Sequence, residues 1–442
     1  MTPMTPMTPM ITMITMTPMD YLDRLQWHGV RPGLARMETL MGQVGQPHAR
    51  FSSVHIAGTN GKGSTAAMTA SILQEAGLCV GLYTSPHLIH FSERIRVRGM
   101  PISEVDVDRL TRHLMAIVAA TPSLSEITFF EFTTALAFLY FAEQAIDIAV
   151  IEVGLGGRFD ATNVILPRVC GITQIDLDHQ QYLGETLAQI AFEKAGIIKA
   201  GVPVVVGRMP EEAWGMIAKR ARQQNAPLIR LGREMMIAGD TSARFLYRGA
   251  RDREVRCPLA GRHQMDNAAV AIALIERLQQ QGMALSEDHI LGGIAHIQWA
   301  GRLETVCARP LILLDGAHNP AGAQALARHL ADIAPRHAGK RWMLFGAMRD
   351  KHVEAMMAAL APWADAVILT RPDHPRAADP DELTQWLPAG LPCAVYRRAT
   401  DAISAVRSRL ADDDTLVITG SLYLVGEAKA HFEGATPSRI RG

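Results

Sequence analysis

Residues 54–65 read Val54-His55-Ile56-Ala57-Gly58-Thr59-Asn60-Gly61-Lys62-Gly63-Ser64-Thr65, an apolar run that breaks into glycines around one lysine and then turns helical. Few local sequences narrow the choice of fold so far. The apolar run suits a buried strand, and the three glycines let backbone N–H groups approach an anion. A helix starting there brings the positive end of its dipole to the same point. Lys62 adds a point charge for the outer phosphates. The common phosphate-loop pattern has four residues between its first glycine and the Gly-Lys pair and a hydroxyl directly after the lysine. Here the loop is shorter and Gly63 intervenes before Ser64. A glycine turn without a ligand is the alternative, but the order strand, glycines, lysine, hydroxyl, helix favours nucleotide phosphate, with Asn60, Gly61, Lys62, Gly63 and Ser64 as its contacts.

The same alternation continues along the chain. Helical periodicity is expected over 34–44, 65–76, 103–120, 130–144, 186–198, 210–224 and 268–280, and buried strands over 79–83, 146–153, 169–175 and 202–206. Residues 95–102 read as a small hairpin and 243–257 as edge hairpins. The alternation restarts near Trp299, with strands at 311–314, 341–345, 366–369 and 415–418 separated by helices. Strands alternating with helices argue for a mostly parallel sheet covered on both faces. At 442 residues the chain exceeds one comfortable core. The expectation is an α/β protein: a mostly parallel nucleotide-binding domain of the P-loop type over 20–298, and a smaller Rossmann-like α/β domain over 299–442. Residues 1–19 repeat Met-Thr-Pro and Met-Ile-Thr before the first charge at Asp20, lack the pattern of a signal peptide, and are expected to form a disordered tail.

Forty-four basic residues balance 44 acidic ones, so neither nucleic acid nor an anionic membrane is indicated as a general partner. Five scattered cysteines without Cys-x-x-Cys spacing fit a reducing compartment, and no run is apolar for long enough to span a bilayer. A cytoplasmic monomer is expected.

Ser85, Glu152 and His179 each stand at or just beyond the end of an expected strand, where such sheets place metal and phosphate chemistry. A hydroxyl and a carboxylate suit magnesium; His179 taken alone reads as an ordinary core or surface histidine. Glu193-Lys194 reads as a solvated helix end, Arg302 as part of a linker, Asp315 as a strand-end acid, and Phe129 and Phe130 equally well as core or as rings for a flat heterocycle.

With Ala57-Gly58-Thr59-Asn60-Gly61-Lys62-Gly63-Ser64 and Thr84-Ser85-Pro86-His87-Leu88, the chain resembles the folylpolyglutamate and dihydrofolate synthases of the Mur ligase superfamily, a resemblance running from residue 34 to about 426. The resemblance implies that Ser85 and Glu152 hold magnesium beside the phosphates of ATP and that His179 serves a second ion. It implies that Lys194 is carbamylated, that Asn267, Arg302 and Asp315 contact ATP in an interdomain cleft, and that His318 is close to the chemistry. Thr128-Phe129-Phe130-Glu131 and Phe159-Asp160-Ala161 match segments that receive the pterin-bearing substrate. Ala300 departs from the family, where proline usually precedes Gly-Arg-Leu-Glu, and is expected to loosen the hinge. The implied reaction joins L-glutamate to dihydropteroate or to reduced folates. ATP converts a carboxylate into an acyl phosphate, the glutamate amine attacks, and no enzyme nucleophile is required; Lys62, the metals and Arg302 position the phosphates and stabilise charge. A peptidoglycan-type Mur ligase is the rival enzyme, but too little chain precedes Gly58 for its extra nucleotide-holding domain. A nucleotide switch that does not ligate is the rival from another class.

Overall fold

Eight short strands form the first sheet of the computed structural model, which describes residues 16–334 and 339–440: β1 Ser52–Ala57, β2 Val80–Tyr83, β3 Ile95–Val97, β4 Met100–Pro101, β5 Ile148–Glu152, β6 Val169–Ile172, β7 Val204–Val206 and β8 Leu228–Arg230. Their order is β4-β3-β2-β5-β1-β6-β7-β8. All neighbours from β2 to β8 run parallel, and the β2–β3 and β3–β4 pairs at one edge are antiparallel. Every residue of β2, β5, β6 and β7 is buried, as strands covered on both faces require. Successive side chains of β5 divide between two cores: Ile148 and Val150 join the cluster on the side of helix Lys62–Glu75, Ala149 and Ile151 the cluster that holds helix Phe129–Glu143. From β1 the chain runs to one edge with β2 and to the other with β6, so the carboxyl ends of β1, β5 and β6 open onto the switch point where α/β sheets bind ligands.

Helix Lys62–Glu75 enters directly from Gly61, three residues earlier than expected, because the lysine and the hydroxyl residue are themselves its first turn. Small residues allow it to be buried almost all round: helix Glu287–Ala295 comes so close that Ser71 Oγ donates to Gly293 O at 2.7 Å. Helix His263–Gln280 likewise starts five residues before its expected position, since Gln264, Met265 and Asn267 pack inward.

Residues 243–257 do form hairpin strands, β10 Arg244–Arg248 and β11 Asp252–Val255, and a further strand precedes them, β9 Met236–Thr241. The third strand is mostly exposed and its residues do not alternate apolar with polar, which hid it from apolar patterning. A buried ionic cluster ties this small sheet to the main unit: Arg253 pairs with Glu276 and Glu287, and Tyr247 Oη donates to Glu276 Oε2 at 2.9 Å.

The second sheet has the order β12-β13-β17-β14-β15-β16, formed by Glu304–Ala308, Leu311–Leu314, Thr415–Thr419, Arg341–Phe345, Ala366–Thr370 and Cys393–Tyr396. Only the β12–β13 pair is antiparallel. The two units are joined at more than the linker. Leu88 packs with Val425 in the second unit, Ser438 N–H donates to Ile89 O at 2.7 Å, and Ile440 is buried in the first unit's cluster with Phe91 and Phe129.

Residues 1–15 of the expected tail lie outside the described residues, but the expectation fails at 16–19. Met16 packs against the first core, and Thr17 caps helix Pro18–Leu25 by accepting from Asp20 N–H. Proline at the first helical position favours a helix start, the feature that had argued against one. Among the described residues no helix is long and apolar enough to cross a membrane.

Candidate functional site

The phosphate loop is shaped by what presses on its glycines. Gly58 (φ +148°) leaves no room for a Cβ beside Thr173, whose Oγ1 donates to Asn60 O at 2.7 Å. Gly61 (φ +86°) lies against the Asn267 side chain, which brings helix His263–Gln280 onto the loop. No side chain caps helix Lys62–Glu75, so its first N–H groups open toward the loop as an anion site. Lys62 Nζ donates to Thr59 O at 3.1 Å, Ser64 is buried, and the Cβ position of Gly63 is 3.4 Å from Trp299 and 3.5 Å from Glu152 Oε2. A Cβ there would be in ordinary contact, so only a side chain longer than that of alanine would press on the linker and the β5 carboxylate.

Glu152 ends β5, is buried, and accepts from Ser85 N–H at 3.1 Å, which joins two of the expected magnesium residues. Burial raises its pKa, opposed by Lys62, the Ser85 amide and Arg302. A desolvated carboxylate beside phosphates requires such cations. His179 has a left-handed backbone (φ 52°), and burial lowers its imidazole to about 3, leaving the neutral form that binds metal. Among the described residues no three His, Cys, Asp or Glu side chains gather as a chelate. The oxygen donors of Ser85 and Glu152 therefore suit magnesium, which takes one or two protein oxygens and completes its shell with phosphate and water.

Lys194 is not a solvated helix end. It is 4% exposed, and its Nζ donates to Gly58 O at 2.8 Å. Burial, then the nearby Lys62 charge, lowers its pKa to about 7. Much of the amine is then neutral at physiological pH, the form that reacts with carbon dioxide.

The second unit closes the far side. Asp315, at the end of β13, accepts from Leu303 N–H and Ala317 N–H, each at 3.0 Å, and so braces the turn that presents Arg302. Burial raises its pKa against the pull of Arg302. Asn267 Nδ2 donates to Gln264 Oε1 at 2.9 Å. His318 Nδ1 meets Gly316 O at 2.8 Å and its Nε2 lies 3.7 Å from Asp178 Oδ2; burial lowers its pKa to about 4. Three residues absent from the expected set complete the junction. Lys351 Nζ reaches Asp178 Oδ1 at 2.5 Å, and Asn319 Nδ2 donates to Asp178 Oδ2 at 3.2 Å and to Asn60 Oδ1 at 2.9 Å. A cleft of about 240 Å³ lies there, lined by Asp178, His179, Gln180, Asn319, Lys351 and His352. Strand-end position was the available signal for Asp178 and Asn319; Lys351 had only its place a few residues beyond β14.

The expected substrate segments divide. Thr128 and Glu131 form the capping box of helix Phe129–Glu143, and Arg36 Nε donates to Glu131 at 3.0 Å, so both polar side chains are engaged in the fold. Phe129 is buried, with Arg94 5.2 Å from its ring centre. Phe130 is half-buried between Tyr83 and Gly154, and Phe159 presents a 43% exposed ring beneath Arg158. Asp160 accepts from Leu155 N–H at 2.9 Å and Thr162 N–H at 3.0 Å, shaping loop 154–157, while Ala161 is core.

Comparison with known proteins adds three findings. Residues 56–275 match the Mur ligase middle domain and 301–422 the Mur ligase glutamate ligase domain. A dihydrofolate synthase/folylpolyglutamate synthase of Bacillus subtilis is 37% identical over 92% of this chain and 98% of its own length. Among solved structures, a folylpolyglutamate synthase of Mycobacterium tuberculosis, complexed with ADP and AMPPCP, is similar with TM-score 0.87 and 33% identity over 95% of this chain and 99% of that one. A bifunctional folylpolyglutamate synthase/dihydrofolate synthase with Mn, AMPPNP and L-glutamate bound has TM-score 0.84 and 30% identity over 95% and 98%.

Proposed function

The chain belongs to the Mur ligase family, among its dihydrofolate synthases and folylpolyglutamate synthases, and from that premise we propose that the junction of its two units is the ligation site and that Lys62, Lys194 and His318 are its working residues. The protein is an ATP-dependent ligase that adds L-glutamate to dihydropteroate or folates through an acyl phosphate, with a divalent metal ion. The observation that carries the site assignment is the buried Lys194 amine, 2.8 Å from the phosphate-loop carbonyl of Gly58.

In this reading the open N–H groups of helix Lys62–Glu75, with Asn60, Gly61, Gly63, Ser64 and the Lys62 ammonium, receive the β- and γ-phosphates. Ser85 and Glu152 would hold the magnesium beside the phosphates and His179 would serve a second ion, and such ions when bound would neutralise phosphate charge. Asn267, Arg302 and Asp315 hold the rest of the nucleotide, with Arg302 reaching across from the second unit. A substrate carboxylate oxygen attacks the γ-phosphorus and ADP leaves; the glutamate amine then attacks the acyl carbon and phosphate departs with that oxygen. Carbamylation would turn Lys194 from a cation beside Lys62 into an anion facing it, which removes a repulsion at the loop. Phe129, Phe130 and Phe159 offer rings to the pterin side, while Thr128, Glu131, Asp160 and Ala161 shape the segments that present them.

The division near residue 299 separates an ATP-binding domain from a glutamate-ligase domain. The reading extends to a cytoplasmic monomer without nucleic-acid partners, supported by the balanced charge and by five unpaired cysteines. Dihydropteroate labelled with 18O in its carboxylate tests the mechanism: one labelled oxygen is expected in the released phosphate, with release requiring both pteroate and glutamate. Unlabelled phosphate, or release without either partner, would refute it.

A further inference from the structure

The last turn of helix Leu187–Lys194 is fastened to loop 154–161 by backbone and side-chain hydrogen bonds and by close backbone contact. Arg158 N–H donates to Glu193 O at 2.8 Å. The Arg158 guanidinium forks onto the Glu193 carboxylate, Nη2 at 2.7 Å and Nε at 3.2 Å. The guanidinium carbon lies over two exposed rings, 4.2 Å from the centre of Phe159 and 4.8 Å from that of Phe192. Asn163 Nδ2 bridges Arg158 O at 3.0 Å and Gly196 O at 3.2 Å. The two backbones touch: a Cβ at Gly157 would stand 2.9 Å from Lys194 O, and one at Gly196 would overlap Arg158 Cα.

We propose that Arg158 and Glu193 are positioning residues for Lys194, a clamp that makes the loop carrying Phe159 and Asp160 and the lysine at the end of the helix move as one body. The proposal rests on the assignment of Lys194 to the ligation site. An ion pair with side chains 42% and 19% exposed contributes little to global stability, so breaking it should be felt in the placement of Lys194 and not in the melting temperature. The charged fork fixes the distance and the two ring contacts restrict the guanidinium further, a combination that sets the position of the helix end as well as attaching it. Lys194 Nζ meets the phosphate loop through one hydrogen bond to Gly58, so a small rotation of that helix end would move the amine off the loop. The clamp also links the pterin side of the site to the phosphate side without passing through the nucleotide.

The test uses the full-length protein with Glu193→Gln, Arg158→Lys, Arg158→Leu and the Arg158→Leu/Glu193→Gln double variant, and Lys194→Ala alongside. Glu193→Gln and Arg158→Leu are each expected to lower kcat about tenfold, as displacement of a reacting group does, with the KM for ATP little changed. The double variant should be no slower than the slower single variant, and Arg158→Lys, which keeps charge but loses the fork, should recover only part of the loss. Melting temperatures should stay within about 2 °C of wild type. In 13C-bicarbonate NMR spectra the carbamate signal that Lys194→Ala abolishes should weaken in both single variants. Wild-type kcat in Glu193→Gln and Arg158→Lys, or losses that add in the double variant, would overturn the clamp while an inactive Lys194→Ala leaves the lysine assignment standing. An active Lys194→Ala would overturn that assignment and the clamp with it. Should Arg158→Leu fail to fold, Glu193→Gln and Arg158→Lys decide the matter.

Discussion

The Lys194 amine donates to the carbonyl of Gly58 across 2.8 Å, although 136 residues separate them. A buried lysine that points at the backbone of a phosphate loop is costly as a cation and useful as a neutral or carbamylated group, and its titration should reveal which it is.

With its amine near 7 in the folded protein against an ordinary 10.5, the unfolded chain binds a proton between those values that the folded chain does not. In buffer free of carbon dioxide, wild type should therefore gain stability relative to Lys194→Met as pH rises from about 7 toward 10.5, with no gain below 7; denaturant midpoints at pH 6.5 and 9 measure this. At fixed dissolved carbon dioxide, activation of wild type should rise with a midpoint near pH 7 rather than 10. A flat profile in both measurements would mean that the amine titrates normally.

Lys62→Ala should abolish ligation and leave the melting curve nearly unchanged, because the side chain is half-buried and its bonding in the fold is one contact to Thr59 O. Calorimetric titration with an ATP analogue should show binding weakened by at least about tenfold. Retained turnover would remove Lys62 from the site.

Gly61 and Gly63 should separate cleanly. Alanine at Gly61 meets both a left-handed backbone and the Asn267 side chain, and should cost about 1–2 kcal/mol or more. Alanine at Gly63 meets Trp299 and Glu152 at ordinary contact distance and should stay within about 0.5 kcal/mol of wild type while slowing turnover. Equal melting temperatures for the two variants would contradict the loop geometry.

Lys351 and Asp178 join the two units directly, whereas Arg302 is expected to act through nucleotide. Scattering profiles should show Lys351→Ala more open at rest. Arg302→Ala should match wild type at rest and compact less when an ATP analogue and pteroate are added, since a ligand shifts a conformational equilibrium only through differential affinity. Identical profiles for all three proteins would mean that other contacts set closure.

Glu276→Ala should destabilise the first unit by about 1–3 kcal/mol, because Arg253, 2% exposed, and the Tyr247 hydroxyl would each lose a buried hydrogen-bond partner while Glu287 still pairs with the guanidinium. Arg244→Ala, which removes a surface pair on the same small sheet, should cost under about 1 kcal/mol. Chemical unfolding of both variants makes the comparison.

Local features were legible in the chain. Gly58, Gly61 and Lys62 announced the loop, and the carboxylate closing a run of buried residues announced Glu152, because both signals lie within one strand-to-loop transition. Lys194 was not legible, since an acid-lysine pair at a helix end looks solvated until Gly58 is folded over it. Lys351 carried no local signal and acquires its place only when the second unit meets Asp178. Thr128 and Glu131 show the opposite case: the spacing Thr-x-x-Glu before an apolar run is itself a capping signature, and that role is realised along with any contact to substrate.

The chain crosses from the second unit back to the first at its far end, where Ser438 bonds to Ile89 and Ile440 enters the core beside Phe91 and Phe129. On the ribosome, residues 89–129 leave the tunnel long before residue 440 does. The first unit's core therefore includes a residue, Ile440, that follows the whole second unit in sequence, and the Ser438–Ile89 bond holds that segment in place. Neither unit can be excised with its core whole, and a truncation a few residues short of the terminus would be felt at the opposite end of the sequence.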